Sequence, residues 1–302
     1  MCGIAGFIKL NGSATPAVKR VALKLLHGIA ERGDKATGYA FVSERELKVV
    51  KEGIGVQEFI KQYEQEITRD VNEAQVWIAH SRFPTKGSIK HPINNHPLFT
   101  KGGLAIVHNG VIHNTDEVFK HFKLGRDGEV DSEIILKLIE HQRTATAHTG
   151  KAIAQAVKFL DGNLTFALID EAKPSEVWLH RWGGSAPVSV VVLEGLVVFA
   201  SELHHALKAV GEQKRGFFRV PTCKVRTLKN GELLCLSGED IKSIKTDPES
   251  KAIEYSAWGE GWGIQRKVGD PDDNEAFYQA GLRGDPYPYD PLMGEVEELD
   301  LI

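Results

Sequence analysis

The sequence predicts an α+β protein in which two antiparallel sheets pack face to face and helices cover their outer sides. Short apolar runs with strand-like alternation are grouped in series and joined by turns. Segments with helical periodicity lie between these groups rather than after every strand, which favours antiparallel sheets over a parallel one. With 302 residues, 42% of them hydrophobic, the chain is long enough to bury a sizeable core.

The elements follow from this pattern in chain order. A strand at 2–10 precedes a helix that Thr15 and Pro16 begin and whose apolar face comprises Val18, Val21, Ala22, Leu25, Leu26 and Ile29. Strands are then predicted at 37–43, 47–51, 76–80 and 104–108, and helices at 115–122, 131–142 and 150–160. A second series of strands is predicted at 164–170, 176–181, 188–192 and 196–200, followed by a helix at 202–210 and strands near 225 and at 233–236.

Composition excludes several classes of protein. The three cysteines, Cys2, Cys223 and Cys235, include no close-spaced pair, which argues against a disulfide scaffold and a cysteine-rich zinc site. No apolar run approaches the roughly 18 residues of a membrane span, and no basic and apolar leader opens the chain. We therefore expect a cytoplasmic protein that does not bind membranes. No stripe of lysine and aromatic residues supports nucleic-acid binding.

Cys2 is the first candidate for chemistry. If Met1 is removed, this residue carries both a thiol and a free α-amine. An α-amine has a pKa of about 7.7 to 8.0, so near neutral pH a substantial fraction can accept the thiol proton. The alternative is that Cys2 is only a small buried residue of the first strand.

Six segments in order resemble the glutaminase domain of class II glutamine amidotransferases, closest to that of glucosamine-6-phosphate synthase-type enzymes. They are Cys2-Gly3-Ile4-Ala5-Gly6, Arg32-Gly33 with Thr37-Gly38, His80 to Gly87, Asn95-His96-Pro97, His108 to Ile112, and Asp131-Ser132-Glu133. The resemblance implies the N-terminal-nucleophile hydrolase fold, a four-layer αββα sandwich of two antiparallel sheets. This agrees with the fold that the strand and helix pattern predicts.

The resemblance also implies roles for individual residues. Cys2 would attack the side-chain amide of L-glutamine, while Asn109 and Gly110 would donate hydrogen bonds to the oxyanion. The substrate's α-carboxylate and α-ammonium would be held by Arg82, Thr85 and Asp131, and the nucleophile's pocket would be supported by Arg32 and Gly33.

Each of these residues also has a structural interpretation. An arginine after a strand commonly forms a surface ion pair, Asp131 is a suitable helix N-cap, and Asn109-Gly110 is a common turn pair. The histidines between 80 and 121 raise the possibility of a metal site. No His-x-x-x-His motif with a carboxylate falls on a clear helix, so we predict no metal and no cofactor.

The resemblance covers about residues 2–240, which we predict to form the glutaminase domain. An aromatic and glycine-rich extension at 241–269 is expected to pack on it. Residues 270–302 hold ten acidic side chains and one basic side chain, which predicts an extended acidic tail and leaves the remainder at about +5.

The functional prediction is a stand-alone glutaminase that passes ammonia to a partner enzyme. It would hydrolyse L-glutamine to L-glutamate and ammonia through a thioester on Cys2. Two alternatives stay open: a hydrolase of another γ-glutamyl amide, and a catalytically silent regulatory or binding subunit. Phe83 and Pro84 depart from the family pattern of a tryptophan and a small residue after the arginine, so loop closure is expected to differ.

Overall fold

A computed structural model describes residues 2–10, 18–43, 46–146, 148–184, 187–211 and 224–238, and the backbone of 241–245. The predicted helix start at Thr15 and Pro16, Cys223, most of the extension predicted at 241–269, and the tail predicted at 270–302 lie outside the described residues.

Thirteen strands lie in this described part. They are β1 (Gly3–Lys9), β2 (Ala36–Ser43), β3 (Glu46–Glu52), β4 (Val76–Arg82), β5 (Leu98–Phe99), β6 (Leu104–Asn109), β7 (Thr165–Asp170), β8 (Glu176–Arg181), β9 (Ser189–Leu193), β10 (Leu196–Ala200), β11 (Lys224–Thr227), β12 (Glu232–Ser237) and β13 (Ile241–Lys245). The first sheet has the order β11-β9-β10-β1-β4-β2-β3, and the second has the order β13-β12-β8-β7-β6-β5. Every pairing is antiparallel.

Six α-helices accompany the strands in the same described ranges. They are α1 (Val18–Ala30), α2 (Val56–Glu73), α3 (Thr115–His121), α4 (Glu133–Arg143), α5 (Thr149–Ala156) and α6 (Leu203–Val210). Short 3-10 turns cover Pro92–Asn94 and Val157–Phe159. No helix among the described residues is both long and apolar enough to cross a membrane.

The core has three layers because the strands bury both faces. In β1, Ile4 and Ile8 face the second sheet, whereas Ala5 and Phe7 face the helices, as the period of two in a strand requires. The two sheets pack on each other through residues such as Val107 of β6. Helices α1, α2 and α6 cover the first sheet, and α3, α4 and α5 cover the second. The predicted α+β sandwich with four layers is confirmed.

Helix α2 was not predicted from the sequence. Its buried stripe is Val56, Phe59, Ile67, Asp70 and Val71, and it is interrupted by non-helical backbone at Tyr63. The stripe has no fully buried residue between Phe59 and Ile67, and it contains the carboxylate of Asp70, which accepts a hydrogen bond from the Tyr39 hydroxyl at 2.8 Å. A periodicity search therefore finds too few apolar positions to recognise the helix.

Two boundaries also differ from the sequence prediction. Helix α4 begins at Glu133, with Ser132 rather than Asp131 in the N-cap position, so the N-cap interpretation of Asp131 is wrong. At the other end, β13 pairs with β12 and extends the second sheet to Lys245, beyond the boundary predicted at 240. The division into 2–240, 241–269 and 270–302 stays a prediction.

Candidate active site

The candidate site lies where β1 begins and β6 ends. Cys2 immediately precedes β1, a central strand that pairs with both β10 and β4. Asn109 is the last residue of β6, and Gly110 follows it. A small pocket opens here, lined by Cys2, Arg82, Phe83, Thr85, Lys86, His96, His108, Gly110, Val130, Asp131 and Ser132. Five of the eight predicted site residues therefore line one pocket.

The Cys2 thiol lies at the wall of this pocket. Its Sγ donates a hydrogen bond to the carbonyl oxygen of Phe83 at 3.5 Å. Burial raises the pKa of Cys2 above its ordinary value, and the positive charges of Arg82 and Arg32 oppose this rise only in part. Near neutral pH the group is therefore mainly a thiol and needs a base to become a nucleophile.

Arg32 and Gly33 support the nucleophile from outside the pocket lining. Arg32 Nε donates to the carbonyl oxygen of Cys2 at 3.0 Å, and its guanidinium also pairs with Glu202. A Cβ at Gly33 would lie 2.6 Å from the amide nitrogen of Phe83. A side chain at position 33 would therefore displace the backbone that accepts the Cys2 hydrogen bond.

Of the two predicted oxyanion donors, Gly110 lines the pocket, whereas Asn109, which precedes it at the end of β6, is not among the lining residues. Asn109 is only 5% exposed, and its Nδ2 has no hydrogen-bond partner among the described residues. A Cβ at Gly110 would lie 1.9 Å from the carbonyl oxygen of Asn163, so glycine is required there for the chain to pass. An unpaired buried amide costs about 1 to 3 kcal/mol, which favours a ligand that accepts its hydrogen bond.

Arg82 is held in place by the loop that follows β4. Its Nη1 donates to Asn95 Oδ1 at 2.8 Å, and its Nη2 donates to the carbonyl oxygens of Lys86 and Gly87, the latter at 3.0 Å. Asn95 Nδ2 in turn donates to the carbonyl oxygen of Ile89 at 2.7 Å. Burial lowers the pKa of Arg82, although an arginine keeps its charge. The surface ion-pair interpretation of Arg82 is wrong.

Asp131 supplies the opposite charge in the same pocket. Its Oδ2 accepts a hydrogen bond from the backbone nitrogen of Ile112 at 2.7 Å, which fixes the carboxylate beside the chain that follows Gly110. Thr85 and Lys86 are exposed at the pocket's edge. The pocket therefore presents separate anionic and cationic groups, an arrangement that suits a zwitterionic amino acid.

Sequence reasoning missed several residues that build the pocket. It assigned no role to Asn95, whose contact with Arg82 spans a loop, or to Lys86, which follows the predicted Thr85 directly. It also missed the contact of His108 with Ser132, in which Nδ1 and Oγ are 2.8 Å apart. His108 Nε2 donates to the carbonyl oxygen of Asn163 at 3.0 Å, so Nδ1 accepts from the serine hydroxyl. For Asn95 the signal is its place in the motif Asn95-His96-Pro97, and for His108 and Ser132 it is their place in the motifs His108 to Ile112 and Asp131-Ser132-Glu133.

Comparisons with known proteins agree with this geometry. Residues 80–208 match a family described as a glutamine amidotransferase domain. Over 217 residues, 71% of this chain, the sequence is 30% identical to glutamine–fructose-6-phosphate aminotransferase (isomerizing) of Staphylococcus aureus, and 28% identical to the enzyme of the same name from Staphylococcus epidermidis. The chain spans about a third (34%) of the length of these relatives.

Solved structures show the same fold. Glutamine phosphoribosylpyrophosphate amidotransferase from B. subtilis superposes with a TM-score of 0.64 at 20% identity, over 82% of this chain and 50% of the other. A glutamine aminotransferase class-II domain protein from Silicibacter pomeroyi superposes with a TM-score of 0.51 at 14% identity, over 82% of this chain and 100% of the other. The chain therefore carries a class II glutamine amidotransferase domain built on the N-terminal-nucleophile hydrolase fold.

Proposed function

We propose that this domain hydrolyses L-glutamine to L-glutamate and ammonia, with Cys2 as the nucleophile. The observation that carries the proposal is the convergence of the Cys2 thiol with Arg82 and Asp131 in one pocket. The guanidinium suits the α-carboxylate of a free amino acid, and the carboxylate suits its α-ammonium. The side-chain amide of the substrate is then directed towards the thiol.

The first half of the reaction forms a thioester. Cys2 Sγ attacks the amide carbon of glutamine, and the thiol proton passes to the α-amine of the same residue. The amine returns this proton to the leaving nitrogen, the carbon–nitrogen bond breaks, and ammonia departs. This step requires removal of Met1. The raised pKa of Cys2 supports this mechanism. Because the thiol form is favoured before substrate binds, a base such as the α-amine is needed to accept its proton.

The second half is hydrolysis of the thioester. Water attacks the same carbon, the carbon–sulfur bond breaks, and L-glutamate leaves with the thiol restored. Both halves pass through an oxyanion, for which Asn109 Nδ2 and the backbone nitrogen of Gly110 are the proposed donors. Without substrate, Asn109 Nδ2 has no hydrogen-bond partner among the described residues, which supports a role as a donor that is used only when the oxyanion forms.

The ammonia is proposed to serve an acceptor reaction. The curated relatives are named as aminotransferases to fructose 6-phosphate, and this chain matches only a third of their length. The acceptor and the protein that carries it therefore stay predictions, as does the expectation of a separate partner enzyme.

A substrate panel tests the proposed function. Hydrolysis should be measured with L-glutamine, L-asparagine and γ-glutamyl N-methylamide, from the amine released (ammonia, or methylamine from the N-methylamide) and the acid formed (glutamate, or aspartate from asparagine). We expect glutamine to be preferred. Asparagine is one methylene shorter, so its amide would not reach Cys2 while Arg82 and Asp131 hold its α-carboxylate and α-ammonium. Preference for the N-methylamide would support the alternative hydrolase instead.

Two variants control this assay. Cys2→Ala should lose at least about a thousandfold in rate, whereas Cys235→Ala, which removes a buried thiol on β12 outside the pocket lining, should keep activity. Full activity of Cys2→Ala would contradict the proposal, and inactivity of the wild type towards every amide would favour a regulatory or binding role.

A further inference from the structure

A second cluster of polar side chains lies where α1 and α6 pack together. Glu31 follows the end of α1, and His204 and His205 belong to the first turn of α6. Glu31 Oε2 is 3.5 Å from His204 Nε2 and 3.2 Å from His205 Nε2. The three potential ligand atoms all lie within 4.8 Å of one another, and none of these residues lines the pocket of Cys2.

We propose that Glu31, His204 and His205 form a binding site for a transition-metal dication of the zinc class, with the remaining position open to water. The site is separate from the proposed hydrolysis of glutamine and does not depend on it.

The separations between the three side chains fit such an ion. With metal–nitrogen and metal–oxygen bonds of about 2.0 to 2.2 Å, tetrahedral coordination places neighbouring ligand atoms about 3.3 to 3.5 Å apart. The observed 3.2 and 3.5 Å from Glu31 Oε2 to the two imidazole nitrogens match this range closely, and the two nitrogens lie within 4.8 Å of each other. Two imidazoles with one carboxylate suit zinc and its neighbours rather than magnesium or calcium, which prefer oxygen ligands.

The burial of the three side chains also suits the binding of an ion. His205 is 1% exposed, so its ring is held within the core. The side chains of His204 and Glu31 are 51% and 59% exposed. One ligand is therefore fixed in the core while the other two are open to ions from solvent.

The surroundings connect the cluster to the candidate active site. Arg32, the neighbour of Glu31, donates to the carbonyl oxygen of Cys2 and pairs with Glu202, which precedes α6. Arg32 and Glu202, which form this ion pair, belong to the two segments that carry the proposed metal ligands. A bound ion would thus brace the segments that hold the backbone of Cys2, without touching the substrate.

Metal titration of the full-length protein tests the proposal. Zn²⁺ affinity is measured by competition with a chromogenic chelator, and Co²⁺ binding by its visible absorption. The experiment uses a Cys2→Ala background, because the exposed part of a nucleophilic thiol would itself bind zinc. The variants His204→Ala and Glu31→Gln change exposed side chains and leave the buried His205 in place. His113→Ala removes another exposed histidine as the matched control.

The background protein should bind one ion at this site and unfold at a higher temperature with Zn²⁺ present. In His204→Ala and Glu31→Gln the affinity should fall by more than about tenfold, and the thermal shift should disappear, while His113→Ala keeps both. If the cluster is held by hydrogen bonds alone, the background protein will bind no ion, or all variants will bind it equally. Either result would overturn the proposal.

Discussion

At the scale of single residues, Cys2 combines a buried thiol with neighbouring positive charge. Burial dominates, so the pKa of the thiol is raised despite Arg82 and Arg32. A cysteine activated only by its surroundings would have a lowered pKa. The Cys2 environment instead suits transient deprotonation by a nearby amine during attack. The proposed α-amine meets this requirement without a separate base residue.

Asn109 gives the sharpest test at this scale. Asn109→Ala should lower kcat by about 10²- to 10³-fold and leave KM nearly unchanged, because the lost donor acts on the transition state rather than the bound glutamine. Steady-state kinetics of ammonia release measures both constants. The exposed Asn72→Ala is the control and should behave as wild type. A rise in KM at constant kcat would assign Asn109 to substrate binding instead.

The site was more predictable from the sequence than the contacts that build it. Cys2, Arg82, Asn109, Gly110 and Asp131 were all found because they lie in motifs whose order matches a known family. These motifs do not specify which segments far apart in the chain come into contact. The bond from Arg82 to Asn95 depends on how one loop folds back, and local sequence does not specify this.

At the scale of elements, buried histidines link the two sheets at the pocket, which His96 and His108 line. His80 on β4 donates from Nε2 to the carbonyl oxygen of His108 on β6 at 3.1 Å. The ring of His96 contacts that of His80 at an interplanar angle of 33°, with centroids 4.4 Å apart. Burial lowers the pKa of His80 to about 3 and that of His96 well below its ordinary value of 6.5. Both rings are therefore neutral in the folded protein at neutral pH.

Acid should destabilise the fold through these histidines. Between pH 6.5 and about 3 the unfolded chain binds protons that the folded protein excludes, so the free energy of unfolding falls as the pH is lowered. Each histidine contributes up to about 1.4 kcal/mol per pH unit. Urea unfolding at several pH values measures the slope. His96→Leu should reduce the slope of the free energy of unfolding against pH by the contribution of one histidine. The exposed His113→Ala should leave this slope unchanged. Equal slopes in the three proteins would contradict this account.

The elements themselves were predictable where their pattern is strong. Helix α1 buries the apolar face predicted for it, and every predicted strand has a counterpart. The missed α2 has a stripe broken at Tyr63, and the missed β5 is only two residues long. Short or interrupted elements are stabilised by tertiary packing, which a local pattern does not record.

At the scale of the whole molecule, the two sheets bring together residues that lie far apart in the sequence. Around the first sheet, Cys2 lies immediately before β1 and Arg82 lies at the end of β4. The second sheet ends β6 with Asn109, and the interleaved core of Ile4, Val107 and their neighbours fixes the distance between the sheets. Strand order across the sheets was not predictable, since the alternation of apolar residues does not specify which strands pair.

The covalent intermediate is the most direct test of this account. The protein is mixed with L-glutamine, quenched in acid within one turnover and digested, and its N-terminal peptide is analysed by mass spectrometry. We predict a peptide that begins at Cys2, lacks Met1 and carries a glutamyl group on the thiol, absent from Cys2→Ala. Turnover of glutamine by a protein that retains Met1, or a glutamyl group on another residue, would contradict the assignment of Cys2 as a nucleophile with its own base.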